Sequence, residues 1–275
     1  MIHNREFVRK LQNAHADYIE AKYKRLALLP GNPKGIAIEK IGSTRIFLSN
    51  EDSFGNRAIF TGNESEKEFQ QVTKLFDEKR VECFLEINPA NFYRTEPFSW
   101  KSEVVQHLLE LGYRPDGFRC VWYLSYLNDL IDFQNDHARI RRFTNDEAED
   151  FIVEKLEVEP ITHENRETKI DEIRQIFTEE WLNYIGYEKN RAVSISSLFI
   201  KNQIGYLAWG YTIDPFRKRG HHKLHVNQRA RDAFSRGCEI AFSVTDFGIP
   251  SSISLQKCGF RLAYNYLLLK RIPPS

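Results

Sequence analysis

The stretch Tyr211-Thr212-Ile213-Asp214-Pro215-Phe216-Arg217-Lys218-Arg219-Gly220-His221-His222-Lys223 decides how the chain is read. An apolar segment, Gly205 to Ile213, runs through a basic turn with a single glycine and into a long run with helical spacing. Strand, cationic turn and helix start are the parts of a site for a phosphorylated ligand. The first backbone N–H groups of a helix have no intrahelical partner, and the aligned peptide dipoles add partial positive charge there. Gly220 carries no Cβ to obstruct an approaching phosphate.

The rest of the chain makes that turn more telling. Among 275 residues, 39 basic side chains face 38 acidic ones, for a net charge of +1. No global field then draws the protein to nucleic acid or to a membrane surface, so an anion site has to be local. The hydrophobic fraction of 41% supplies a filled core. Cys83, Cys120, Cys238 and Cys258 are widely spaced and form no CxxC pair. The charged start MIHNREFVRKLQNAHADYIEAKYKRL is unlike a leader, and no uncharged apolar run reaches membrane-spanning length. The expectation is a reduced, soluble, cytoplasmic protein. His221 and His225 share a helix face, but no HExxH pattern accompanies them, and no metal is expected. The Gly-Lys-Ser/Thr ending of a nucleotide P-loop is absent as well.

Periodicity divides the chain at the polar stretch NDLIDFQNDH, residues 128–137, giving expected domains over 1–130 and 138–275. In the first half the spacing predicts helices over 6–28, 65–79 and 102–111. Strands are expected at 35–39, 44–48, 57–61, 82–87 and 118–126. In the second half it predicts a strand over 138–143 and a helix capped by Asn145 or Asp146. A second helix over Glu167 to Tyr184, a hairpin of 192–201 with 203–213, and a helix over 221–235 come next. Strand 239–245, helix 251–258 and strand 261–270 complete it. The halves end alike. Lys79-Arg80-Val81-Glu82-Cys83-Phe84-Leu85-Glu86-Ile87 parallels Arg236-Gly237-Cys238-Glu239-Ile240-Ala241-Phe242-Ser243-Val244. Leu111-Gly112-Tyr113-Arg114 likewise parallels Cys258-Gly259-Phe260-Arg261, with an extra loop, NFYRTEPFSW, between the two marks in the first half. Two matches in the same order favour duplication.

On these residues, 138–275 resembles an acyl-CoA N-acyltransferase domain of the GNAT superfamily. Its acyl-CoA loop has the form Arg/Gln-x-x-Gly-x-Gly/Ala and stands here as Arg217-Lys218-Arg219-Gly220-His221-His222. The Gly259-Phe260 turn is similar to its closing signature, and the layout resembles a tandem subgroup with a degenerate N-terminal half. The implied fold is α/β (α+β): two GNAT-like halves, each a mixed, mainly antiparallel sheet flanked by helices. His222 replaces the small residue of the loop, and Leu255 stands about where the family often carries an acidic tyrosine.

The resemblance implies that acetyl-CoA is a substrate and that an acetyl group passes directly to a primary amine in a ternary complex. Backbone N–H groups at Thr212 and Ile213 would bind the pantetheine arm and polarise the thioester carbonyl. Those of 218–222, with Arg217, Lys218, Arg219, Gly220, His221 and His222, would hold the pyrophosphate, and Ser252 joins the cofactor contacts. The amine must lose its proton before attack. Glu179, Glu180 and Asp246 are the candidate bases; Tyr211 and Tyr264 are the candidate acids. The acceptor is expected to be a small-molecule or peptide amine, and a homodimer is left open. Two other readings stand beside this one: a non-catalytic acyl-CoA sensor or interaction module, and an aminoacyl-transferase using charged tRNA. The near-zero net charge argues against the last.

Overall fold

Helix α1 (Arg5–Leu26) opens the chain because Val8, Leu11, His15 and Ile19 recur at three- and four-residue spacing and bury one face. The computed structural model describes residues 5–50, 55–60, 64–88, 102–158 and 166–272. The expected loop NFYRTEPFSW lies outside them. The described chain forms two compact units, 1–121 with 263–275, and 122–262.

In the first unit, β1 (Ala37–Ile41) and β2 (Thr44–Leu48) form a hairpin, and β2 pairs antiparallel with β3 (Arg57–Ile59). Helix α2 (Glu66–Lys79) starts at Ser65, whose side chain and that of Glu68 satisfy each other's backbone N–H in a capping box. It leads to β4 (Cys83–Ile87), parallel to β3. Next come α3 (Ser102–Glu110) and β5 (Arg114–Leu124). The final strand of the chain, β11 (Arg261–Arg271), pairs antiparallel with β4. Phe69, Val72 and Phe76 of α2 pack on Ile46, Leu85 and Leu269 to fill this core. Each such side chain contributes roughly 1.5–3 kcal/mol on burial.

The second unit comprises β6 (Ala138–Phe143), α4 (Ala148–Val158), α5 (Arg166–Gln175), β7 (Trp181–Glu188) and β8 (Arg191–Lys201). It continues with β9 (Ile204–Thr212), α6 (His221–Ser235), β10 (Ile240–Asp246) and α7 (Pro250–Lys257). The strand order is β10-β9-β8-β7-β6, antiparallel except between β9 and β10. Val226, Ala230 and Ala233 turn one face of α6 onto Leu182, Leu198 and Leu207. Each unit is therefore a mixed, mainly antiparallel sheet flanked by helices. No helix among the described residues is long and apolar enough to cross a membrane.

The expected helix over 167–184 is corrected. Helix α5 ends at Gln175, and Trp181–Glu188 is a strand paired on both sides, with β6 and with β8. Its residues are buried on both faces. A run buried all round carries no alternation, and cross-strand pairing decided what periodicity could not. Glu179 and Glu180 thus sit in the turn before β7 rather than on a helix. The α4 cap is also one position earlier than expected. Thr144 and Glu147 make a capping box on a 3-10 turn that feeds the helix.

The matched endings take comparable places, each within its own unit. Phe84 pairs with Arg57 as Ala241, its aligned counterpart, pairs with Gly205. Arg80 and Gly237, also aligned, both take the left-handed conformation that ends α2 and α6.

Candidate functional site

The parallel pair β9 and β10 is joined only at Ile204–Ile240, Gly205–Ala241 and Tyr206–Phe242. Past that point Ser243 donates its hydroxyl to the Leu207 carbonyl at 3.0 Å, and no further ladder pair links the strands among the described residues. Between the pairs Ser196–Gly210 and Leu198–Leu207 the register with β8 slips, leaving an extra residue on β9 at Ala208-Trp209. Arg229 of α6 takes up the carbonyls this bulge frees, donating to Ala208 O at 2.7 Å and Ser197 O at 3.1 Å. Burial pulls this guanidinium down to about 10.

The basic turn leads on from the open end of β9. Asp214-Pro215-Phe216 makes one 3-10 turn, Lys218 takes φ 63° and Gly220 takes φ 89° before α6 begins. Arg219 closes the turn at 217–218; the backbone N–H groups of Gly220 to Lys223 have no hydrogen-bond partner among the described residues. Four consecutive free donors at the start of a long helix have the arrangement that suits an anion. The surroundings of Gly220 differ from expectation: a Cβ there would meet the ring of Phe133 at 2.6 Å. This glycine makes room for a side chain of its own unit.

The side chains of the turn are tied up in different degrees. Arg217 donates to Thr212 O at 2.9 Å and pairs with Asp214 at 2.7 Å. Arg219 pairs with Glu188 at 2.8 Å and lies over Phe216. His221, almost wholly buried, meets the other Glu188 oxygen at 3.1 Å through Nε2, while its Nδ1 has no partner among the described residues. Burial would raise the Glu188 carboxyl, but hydrogen bonds from His221 and Arg219 hold it below its usual value. His222 is pushed down to about 4, by burial first and by Arg229 second. His225 is buried between Ser196 at 2.7 Å and Ser194 at 2.9 Å.

Other expected site residues fall at different levels of the fold. Thr212 lies opposite Ser194, level with Gly186, at the open end of β9. Ile213 donates its N–H to Val193 O. Ser252 bonds Thr245 at 2.7 Å and the Asp246 carbonyl at 3.1 Å, fastening the start of α7 to the end of β10. Asp246 is exposed at that end. The Glu180 carbonyl accepts from Ile200, which pairs with Gly205. Glu179 and Glu180 are therefore level with the closed end of the β9–β10 pair, away from Thr212. Tyr264 belongs to the first unit, its ring 6.5 Å from that of Tyr266. Leu255 is core, packed with Val226 and Phe260.

Sequence reasoning did not find Glu188, Asn227 or Phe133. Phe133 is the one aromatic in the stretch 128–137, and that was the available signal. The hairpin residue Glu188 gave none.

No protein-family model and no curated protein matches the sequence. Solved structures do. A tandem GNAT protein from the clavulanic acid biosynthesis pathway superposes with a TM-score of 0.64 at 10% identity, over 94% of this chain and 96% of that one. A GCN5-related N-acetyltransferase from Kribbella flavida gives 0.61 at 14% identity, over 93% and 96%. The chain has the tandem GNAT fold. A GCN5-related N-acetyltransferase from Sphaerobacter thermophilus gives 0.59 at 13% identity, over 84% and 81%. In the GNAT halves of this chain, the parted strands and the open N–H turn both fall in the second.

Proposed function

We propose that the chain is an acyl-CoA-dependent N-acyltransferase that moves an acetyl group from acetyl-CoA to the primary amine of a small molecule or peptide. The observation that carries this reading is the parting of β9 from β10 after Tyr206–Phe242, upstream of the four free N–H groups of Gly220 to Lys223 at the start of α6. An extended pantetheine arm fits beside the freed edge of β9 as an extra strand would, with its phosphates at the helix start. A β9 N–H near the bulge would polarise the thioester carbonyl as negative charge develops there. The neutral amine would then attack the carbonyl carbon, and the thiolate would leave with a proton. Asp246, at the open end of β10, is the preferred base over Glu179 and Glu180. Tyr211, beside Thr212, is preferred over Tyr264 as the acid.

Thermal unfolding with acetyl-CoA tests the binding step. A ligand held only by the folded state adds RT ln(1 + [L]/Kd) to stability, so the melting temperature should rise with millimolar acetyl-CoA. No rise with acetyl-CoA or longer acyl-CoAs sinks the proposal. Thiol release in the presence of an amine panel tests the chemistry.

A second reading, an acyl-CoA sensor without turnover, is favoured by one feature: Leu255 lies in the core at 1% exposure. The resemblance would have a proton-donating tyrosine near that place. Binding without thiol release from any amine would select this reading.

A further inference from the structure

Residues 217–223 carry six basic or imidazole side chains, and they are not equally available to a ligand. Lys218 is exposed and its side chain has no ion pair or ring contact among the described residues, so nothing holds its ammonium in one place. Arg219 neutralises Glu188, a carboxylate whose side chain is only 12% exposed. Withdrawing Arg219 to a phosphate would leave that carboxylate with His221 alone, and an undercompensated buried charge is costly. Arg217 is held three ways, by Thr212 O, by Asp214 and by the Tyr211 ring. Lys223, on the first turn of α6, has no carboxylate partner among the described residues. Its ammonium lies 3.5 Å from the centroid of Phe133, and the edge of that same ring abuts Gly220.

Phe133 is itself fixed. Its N–H donates to Asn227 Oδ1 at 2.9 Å, and Asn227 Nδ2 donates to Ile131 O at 3.3 Å. Asp132 pairs with Arg231 at 2.9 Å, and Asn135 donates to the Arg219 carbonyl at 2.9 Å. At the other end Ile131 donates to Cys258 O, and Gly259 leaves room for the Asp129 carbonyl, which a Cβ would meet at 2.1 Å. Residues 129–135 thus form a strap along α6, from the Gly259 turn to the Gly220 turn. A lysine laid on a ring held this firmly has already lost most of its rotamer freedom, so little remains to be lost when an anion arrives.

We propose that Lys223, seated on Phe133 beside Gly220, is the cation that meets the phosphates of the acyl carrier, while Arg217 and Arg219 hold the turn in shape. The proposal rests on the acyl-CoA reading above and deepens it. Phe133 acts as a positioning residue, because it places the ammonium and does not itself touch a phosphate. The carrier offers two sources of that chemistry, the pyrophosphate and the ribose 3′-phosphate.

The test is calorimetric titration of the full chain with CoA and with dephospho-CoA. Variants are K223M, K223R, R219M and F133L, each first compared with wild type by unliganded melting temperature. K223M should bind CoA about tenfold more weakly, in line with one lost charge-assisted contact, and K223R should recover most of it. F133L should lose less than K223M. R219M should lower the unliganded melting temperature and lose less affinity than K223M. A K223M penalty that persists with dephospho-CoA assigns Lys223 to the pyrophosphate, and one that vanishes assigns it to the 3′-phosphate. Wild-type affinity in K223M overturns the inference alone. Failure of wild type to bind CoA overturns the acyl-CoA reading and this inference together.

Discussion

The parallel pair β3–β4 of the first unit and the pair β9–β10 of the second are built on one plan and end differently. Each ladder has three rungs, offset by one aligned position of β4 and β10: the first runs from Arg57–Phe84 to Ile59–Glu86, the second from Ile204–Ile240 to Tyr206–Phe242. The residue just past the last shared rung decides this. In the first unit that position is Glu86, buried and held by Arg57 at 2.9 Å and His15 at 3.3 Å, while Gln12 of α1 takes the Phe60 carbonyl. In the second unit it is Ser243, whose short side chain satisfies one carbonyl and reaches no further. Side chains from α1 close the first pair. In the second unit Arg229 of α6 takes the Ala208 carbonyl of the bulge, and past Tyr206–Phe242 no ladder pair joins β9 to β10 among the described residues. At the matching level of the first unit the space beside the strands holds its own buried polar side chains, Glu86, Arg57, His15 and Gln12.

The strongest way to break this contrast is to unpair Glu86. Glu86→Gln should cost about 3–5 kcal/mol, because it leaves Arg57 and His15 buried against a neutral amide. Denaturant unfolding measures it, and a loss under about 1 kcal/mol, the size of one ordinary hydrogen bond, would show that the closed pair does not depend on the charge.

Acid should separate the two units next. In the second unit, His222 has a folded value of about 4, below the usual 6.5. The unfolded chain takes up that proton first, so stability is complete above about pH 6.5 and falls as pH drops toward 4, by an amount on the order of 3 kcal/mol. In the first unit, burial alone would raise the Glu86 carboxyl, but His15 and Arg57 more than offset it and hold it at about 2. Its contribution is present above the ordinary carboxylate value and lost only as pH falls from there toward 2. Urea midpoints across pH 7 to 3 should show H222N making the first limb shallower, with His225, which burial also holds well below its usual value, keeping the remainder, and the second limb unchanged.

Gly220→Ala should cost about 1–3 kcal/mol, since the new Cβ meets Phe133 and the backbone sits at positive φ. It should also reduce the thermal shift given by acetyl-CoA. A variant as stable as wild type with an unchanged shift would separate the turn from the ligand site. The smallest expected effect is Ser243→Ala, about 1 kcal/mol for one hydrogen bond, read as earlier hydrogen exchange in β9 and β10.

Much of the fold was legible because its signals are local. Helix α6 was bounded correctly at His221 and Ser235 by a glycine at each side, and the Asn202 hairpin by its turn residues. Strand β7 was not, because burial on both faces erased its alternation. Of the candidate site, the turn was legible and its electrostatics were not. The contacts that distinguish its cations join Glu188 to 219 and 221, and Phe133 to 220, 223 and 227. Pairings this distant in sequence leave no mark in spacing or composition, and they moved the emphasis from two arginines to one lysine.

The last strand has a consequence for synthesis. Strand β11 completes the first unit, and its Arg271 reaches Asp77 at 3.0 Å across 194 residues of chain. While a ribosome is still making the second unit, β4 presents a bare edge of five buried-type residues, Cys83 to Ile87, a template for pairing with other nascent chains. The half that is translated first is therefore finished last. Clipping residues 263–272 should unfold the N-terminal unit and spare the one whose sequence it adjoins.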